Sequence, residues 1–151
     1  MVIHARVVVA VVAAAWCCSI PIAAHATGTI DIHRSVGTTN TYSDVEIKVF
    51  SGSLFLTSDD GDGTIVVTQA ACSYQGKVIV CLPITAALVQ EGESQALSVK
   101  TGTIYLNYSD AAQTLSASSA KIPSHSIMVA LTLRDGTFIT VRGRIDQVVE
   151  R

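Results

Sequence analysis

SIMVALTLRDGTFITVRGR, residues 126–144, reads as one β-hairpin, and the register of that hairpin decides the fold class. Ile127, Val129, Leu131 and Leu133 recur at every second position, the period of a strand with one face in a core and one in water. A two-residue loop at Asp135-Gly136 would put Arg142 and Arg144 on the same face as these residues and bury two guanidinium groups. A three-residue loop, Arg134-Asp135-Gly136 with Gly136 left-handed in a bulge, pairs Leu131 with Ile139 and Val129 with Val141 instead. It leaves Met128, Arg142 and Arg144 on the outer face, so the second register is the one expected.

A second hairpin is bounded by cysteines, Cys72-Ser-Tyr-Gln-Gly-Lys-Val-Ile-Val-Cys81. A two-residue loop at Gly76-Lys77, with glycine first as a type II′ turn requires, pairs Gln75 with Val78 and Cys72 with Cys81. The cysteine pair is then non-hydrogen-bonded, with Cα atoms about 4.5 Å apart, within reach of a disulfide. Redox motifs place their cysteines two residues apart, and a metal would need further ligands close by, so a structural disulfide is the expectation.

Outward from these hairpins the chain keeps the same grammar. Val45, Ile47 and Val49 alternate with Glu46 and Lys48, and similar stretches lie at 53–57, 64–74, 77–82, 84–90, 95–100 and 103–108. About nine short strands separated by turn residues predict an all-β chain. A single antiparallel β-sandwich lets two amphipathic sheets bury each other's apolar faces, and a small closed barrel is the alternative. Residues 109–125, SDAAQTLSASSAKIPSH, break the alternation and read as a long connection crossing between sheets, with a helical turn near Asp110–Thr114 as an option. Pro123 excludes a central strand there.

The N-terminus supplies an address. The chain has 151 residues, 49% of them hydrophobic, and much of that character lies in the uncharged run Val7–Ile20, which follows His4 and Arg6. Pro21 then leads to Ala24-His25-Ala26, small residues where a signal peptidase reads. Residues 1–26 are therefore expected to be a cleaved secretory signal peptide and residues 27–151 one domain. The apolar run is short for a membrane span, which takes about 20 residues, and none is expected once the signal is removed. Lipidation at Cys17 or Cys18 is disfavoured because Trp16 stands where a small residue is needed. The remaining 125 residues carry 9 basic and 12 acidic side chains, a formal net charge of −3, which argues against nucleic acid as a partner. A secreted or periplasmic location also makes Cys72 and Cys81 an oxidised pair.

The candidate chemistry is sparse. Asp59, Asp60 and Asp62 stand between Ser58 and Gly63 and offer oxygens to a calcium ion. The EF-hand pattern fails, because Ser58 replaces the first Asp, Gln69 replaces the final Glu, and the flanks alternate like strands. Calcium is the one cofactor this loop suggests, and a solvated turn is its simpler reading. The only histidines after residue 26 are His33 and His125; no Gly-x-Ser-x-Gly elbow and no His-Glu-x-x-His pair accompany them. No catalytic residue is expected, and a small hydrolase using His125 is an alternative. His33 is expected to face water. Arg134, Arg142 and Arg144 could line a strip that contacts an anion, although Asp135, Asp146 and Glu150 stand near enough in sequence to offset them.

The start of the processed chain, Thr27-Gly28-Thr29-Ile30-Asp31-Ile32, resembles the opening of chaperone-usher fimbrial subunits over six residues. That resemblance implies a pilus-like subunit working by strand exchange, with Gly37–Thr41 as a joint. The cysteines are closer together and later than that family has them, and the last tyrosine, Tyr108, lies far from the C-terminus. The functional expectation is thus an exported, disulfide-stapled module with a binding or structural role toward an envelope or extracellular protein or glycan.

Overall fold

The computed structural model describes residues 20, 22–50, 52–58, 63–69, 72–82, 84–114 and 121–150. They form β1 (Ile22–His33), β2 (Thr39–Phe50), β3 (Ser53–Thr57), β4 (Thr64–Gln69), β5 (Cys72–Gln75), β6 (Val78–Cys81) and β7 (Ile84–Gln90). There follow β8 (Glu93–Leu97), β9 (Val99–Asn107), β10 (Gln113–Thr114), β11 (Lys121–Ile122), β12 (Ser126–Leu133) and β13 (Phe138–Glu150). Eleven of these make one antiparallel sheet in the order β5-β6-β9-β12-β13-β1-β2-β3-β4-β7-β8, and β10 pairs with β11 separately. The sheet has two edges, β5 and β8, so it is not a closed barrel.

The sheet curls upon itself into a sandwich. β7 lies against β9, and Ile84 occupies the space that a side chain at Gly102 would need. Ile47, Leu54, Leu56, Ile104, Leu106, Ile127, Leu131 and Val141 fill the interior. Burying such branched side chains contributes roughly 1.5–3 kcal/mol each before entropy is counted. Two bulges help the long strands to bend. Opposite Thr29, β2 inserts an extra residue and Asp44 takes φ 54°. Opposite His25-Ala26, β13 inserts Asp146. Between them Gly28 pairs with Gly143; a Cβ on Gly28 would fall on the Arg142 carbonyl oxygen, and one on Gly143 would stand 2.5 Å from Ile47 Cδ1. Only glycines allow the sheet to crease this tightly.

Both hairpins have the expected registers. Leu131 pairs with Ile139 and Val129 with Val141, the Leu133 N–H donates to the Thr137 carbonyl at 2.8 Å, and Gly136 has φ 90°. Gln75 pairs with Val78 and Cys72 with Cys81 around Gly76 at φ 62°. The disulfide joins Cys72 to Cys81 with Cα atoms 4.0 Å apart.

Other expectations need correction. The stretch 64–74 is not one strand: β4 runs between β3 and β7, whereas β5 is the edge beyond β6. The connection 109–125 does not cross between sheets, since β9 and β12, which it joins, are hydrogen-bonded neighbours. Its described part holds bends and the short strands β10 and β11 and no helical turn, and Ile122 packs on the outer face of the sheet. Gly37, with φ 70°, belongs to the turn between the paired strands β1 and β2, and Thr39–Thr41 are already in β2. Apart from these corrections, β1 of the unprocessed chain begins at Ile22, so residues 22–26 of the expected signal peptide are paired in the sheet; whether they are cleaved is a separate matter.

Candidate functional site

The two described ends of the 109–125 connection are joined through a buried side chain. Asn107, at the end of β9, is fully buried. Its Nδ2 donates to the carbonyls of Ala111, Ile122 and Pro123 at 3.0, 3.1 and 3.0 Å. Its Oδ1 accepts from Ser109 N and Oγ at 3.0 and 2.6 Å. Ile122 is thereby seated on Val78, Val80, Tyr105 and Met128, a second small apolar cluster on the outer face of the sheet.

Beside this cluster runs a groove of about 700 Å³, walled by Lys121 and Pro123–Met128 of the connection and β12 and by Arg142–Arg144 of β13. Arg142 pairs across the ladder with Met128, and Arg144 with Ser126. Alternate residues on a strand share a face about 6.8 Å apart, so both guanidiniums project from the same side. Lys121 and His125 join them from the opposite wall. None of the described lining residues carries a carboxylate. Among the described residues Lys121, Arg142 and Arg144 make no ion pair, while His125 Nε2 meets Asp110 Oδ1 at 2.9 Å. His125 sits at φ 49°, and its carbonyl accepts from the Ile145 N–H at 2.7 Å, which ties the groove's rim to β13.

The sequence placed Arg134, Arg142 and Arg144 in one strip; the structure brings only the last two together. Arg134 stands in the hairpin turn, where its backbone N–H donates to Ser98 O at 2.9 Å. Lys121, and the place of His125 beside the arginines, escape sequence reading because the connection has no period from which to infer a face. Asn107 left a fainter mark, in that Asn-Tyr-Ser after a strand is a frequent start for a side-chain-capped turn.

The remaining candidates are dispersed. Asp59, Asp60 and Asp62 lie outside the described residues; among the described residues no group of three or more His, Cys, Asp or Glu side chains could hold a metal ion. Ser58 and Gly63, which flank that loop, line a cavity of about 390 Å³ at the far end of the sandwich, walled by Leu56, Ile65, Leu88 and Ile139 with Arg34 and Asp135. The Thr137 N–H donates to Asp135 Oδ1 at 2.9 Å and holds that carboxyl below its ordinary range. His33 is exposed, as expected, bonded to Thr39 Oγ1 at 3.1 Å and stacked on Phe138. Ser126, the serine next to His125, turns its hydroxyl to the Pro123 carbonyl at 2.7 Å and not to the imidazole.

A further ionic group sits on β1. The bulged Asp146 accepts from His25 Nδ1 at 2.8 Å, Glu46 lies 3.5 Å from Nε2, and Lys48 lies 3.2 Å from Glu46. The Asp146 hydrogen bond raises the His25 pKa above the usual histidine value. Lys48 first, then His25, lowers that of Glu46. No protein-family model, curated protein or solved structure matches the chain.

Proposed function

We propose that the chain is an exported, disulfide-stapled binding module that acts without catalysis and recognises an anionic group on an envelope or extracellular protein or glycan. The observation that carries this reading is the groove itself, where Lys121, His125, Arg142 and Arg144 converge on a concave surface whose described lining holds no carboxylate. A planar guanidinium matches a carboxylate, sulfate or phosphate with paired hydrogen bonds, and the half-buried Met128 beside the two arginines gives the groove an apolar surface against which they lie. With a net charge of −2 over the whole chain, a basic groove is a local feature able to select a site on a partner. The disulfide, and the lack among the described residues of any helix long and apolar enough to cross a membrane, are compatible with a secreted or periplasmic address.

The test is titration of a labelled heparin oligosaccharide, a repeating sulfate and carboxylate probe, into the protein at low salt, followed by fluorescence anisotropy. Replacing Arg142 and Arg144 together by Ala should weaken binding at least about tenfold, or about 1.4 kcal/mol. Replacing Arg134 by Ala should not. Equal loss from both variants, or no loss from the first, rejects the groove as the binding site.

A further inference from the structure

Ile20, Ile22, Ala24 and Ala26 are at most 8% exposed and belong to the main core. The segment that the sequence reads as the close of an export signal thus supplies the first half of β1, in the middle of the sheet. On one side Ile22–Ala26 pairs with Glu150–Ile145 of β13, and on the other Ala24, His25 and Ala26 pair with Val49, Lys48 and Ile47 of β2. A cut after Ala26 would withdraw this half-strand and leave a gap one strand wide. Thr27–His33 stays paired with both neighbours, so β2 and β13 are held about two strand spacings, or about 9.6 Å, apart and cannot close on each other. The gap would present two rows of unpaired backbone groups over the side chains of Ile47, Val49 and Ile145. Its outer rim would present Asp146 and Glu46, the two carboxylates that flank His25.

We propose that in the processed protein this gap is a receptor for an extended segment of a partner polypeptide, with small or branched apolar residues at alternate positions and a cationic residue between Asp146 and Glu46. Backbone pairing on both sides supplies affinity, and the small inner positions with one outer cation supply selection. Among the described residues of 27–151 a second copy shows no spare segment of this kind, since the described strands are already paired, and the sequences 59–62 and 115–120 contain no cationic residue. The proposal rests on the reading that the chain is exported and cut after Ala26.

The full-length chain is produced in an exporting host, and the product's mass is measured in native and denaturing conditions. A product that still contains Ile22–Ala26 in its chain overturns the processing reading and the receptor with it. A cleaved leader fragment still bound in the native mass overturns the partner as occupant. On a product beginning at Thr27, a labelled peptide of residues 20–26 should bind one to one, and its His25→Glu version at least tenfold more weakly. Absent binding, or equal binding of the two peptides, overturns the receptor while leaving processing intact. Adding the peptide during refolding covers an empty protein that does not hold its own fold. Under those conditions a Val49→Cys product should form a disulfide with a peptide carrying Ala24→Cys and not with one carrying Ala23→Cys, because Ala24 and Val49 are cross-strand partners; equal capture of both overturns the register.

Discussion

Replacing Asn107 by Ala would remove the two N–H groups that Nδ2 shares among the carbonyls of Ala111, Ile122 and Pro123, and the Oδ1 that accepts twice from Ser109. A neutral hydrogen bond contributes about 0.5–1.5 kcal/mol net, and a buried group left without its partner costs more than that average. Only the bond to the Ile122 carbonyl is fully buried; the others recover some hydration once released. The loss is therefore about 3 kcal/mol, which lowers the melting temperature by about 10 °C for a chain of this size. Asn107→Asp should be at least as damaging, since it turns an acceptor toward three carbonyls. Urea unfolding of both variants beside the parent measures this directly, and a loss below about 1 kcal/mol in each would refute the clamp. The same substitutions release the wall that carries Lys121 and His125, so heparin affinity should fall in step with the clamp, although Asn107 itself does not line the groove.

Other expectations are more local. Reducing the Cys72–Cys81 disulfide should cost about 2.7 kcal/mol by loop entropy, and urea midpoints that coincide with and without reductant would reject the staple. Gly28→Ala should cost about 2 kcal/mol or more, because the new methyl meets the rigid Arg142 carbonyl and not a movable side chain; thermal melting beside Ser35→Ala, an exposed control, reads it. In the unprocessed chain His25 has a raised pKa when folded, through its hydrogen bond to Asp146. Its stabilising contribution is then complete below the unfolded value of about 6.5 and is lost as pH rises through the folded value. Asp146→Asn should flatten that part of the stability profile, and an unchanged pH dependence of the urea midpoint would show that the pair contributes nothing.

The two hairpins were legible because each combines a period of two with a turn that fixes register. In the Arg134-Asp135-Gly136 loop a one-residue slip would have buried Arg142 and Arg144, so electrostatics chose between registers. Where those signals part, sequence reading lost its grip. Residues 64–74 look continuous, yet β4 and β5 lie far apart in the sheet order, because composition does not reveal which neighbour a strand chooses. Ile22–Ala26 has the small and branched residues that suit both a peptidase site and a tightly packed inner strand, and its place between β13 and β2 depends on residues more than a hundred positions away. The basic groove was half visible: Arg142 and Arg144 follow from strand alternation, whereas Lys121 and His125 reach it through a connection whose path is set by Asn107.

The place of β1 in the sheet also orders events in time. Its partner β13 is the last of the described strands, and the contact between His25 and Asp146 spans 121 residues. A chain emerging N-terminus first can close β1 against β2 early, but the opposite edge of β1 must wait until the last strand has emerged. Pairings of such long sequence separation slow folding and leave an exposed strand edge in the meantime. Under the proposed export that delay is useful: the sheet cannot be completed until β13 has followed β1 to the same side of the membrane.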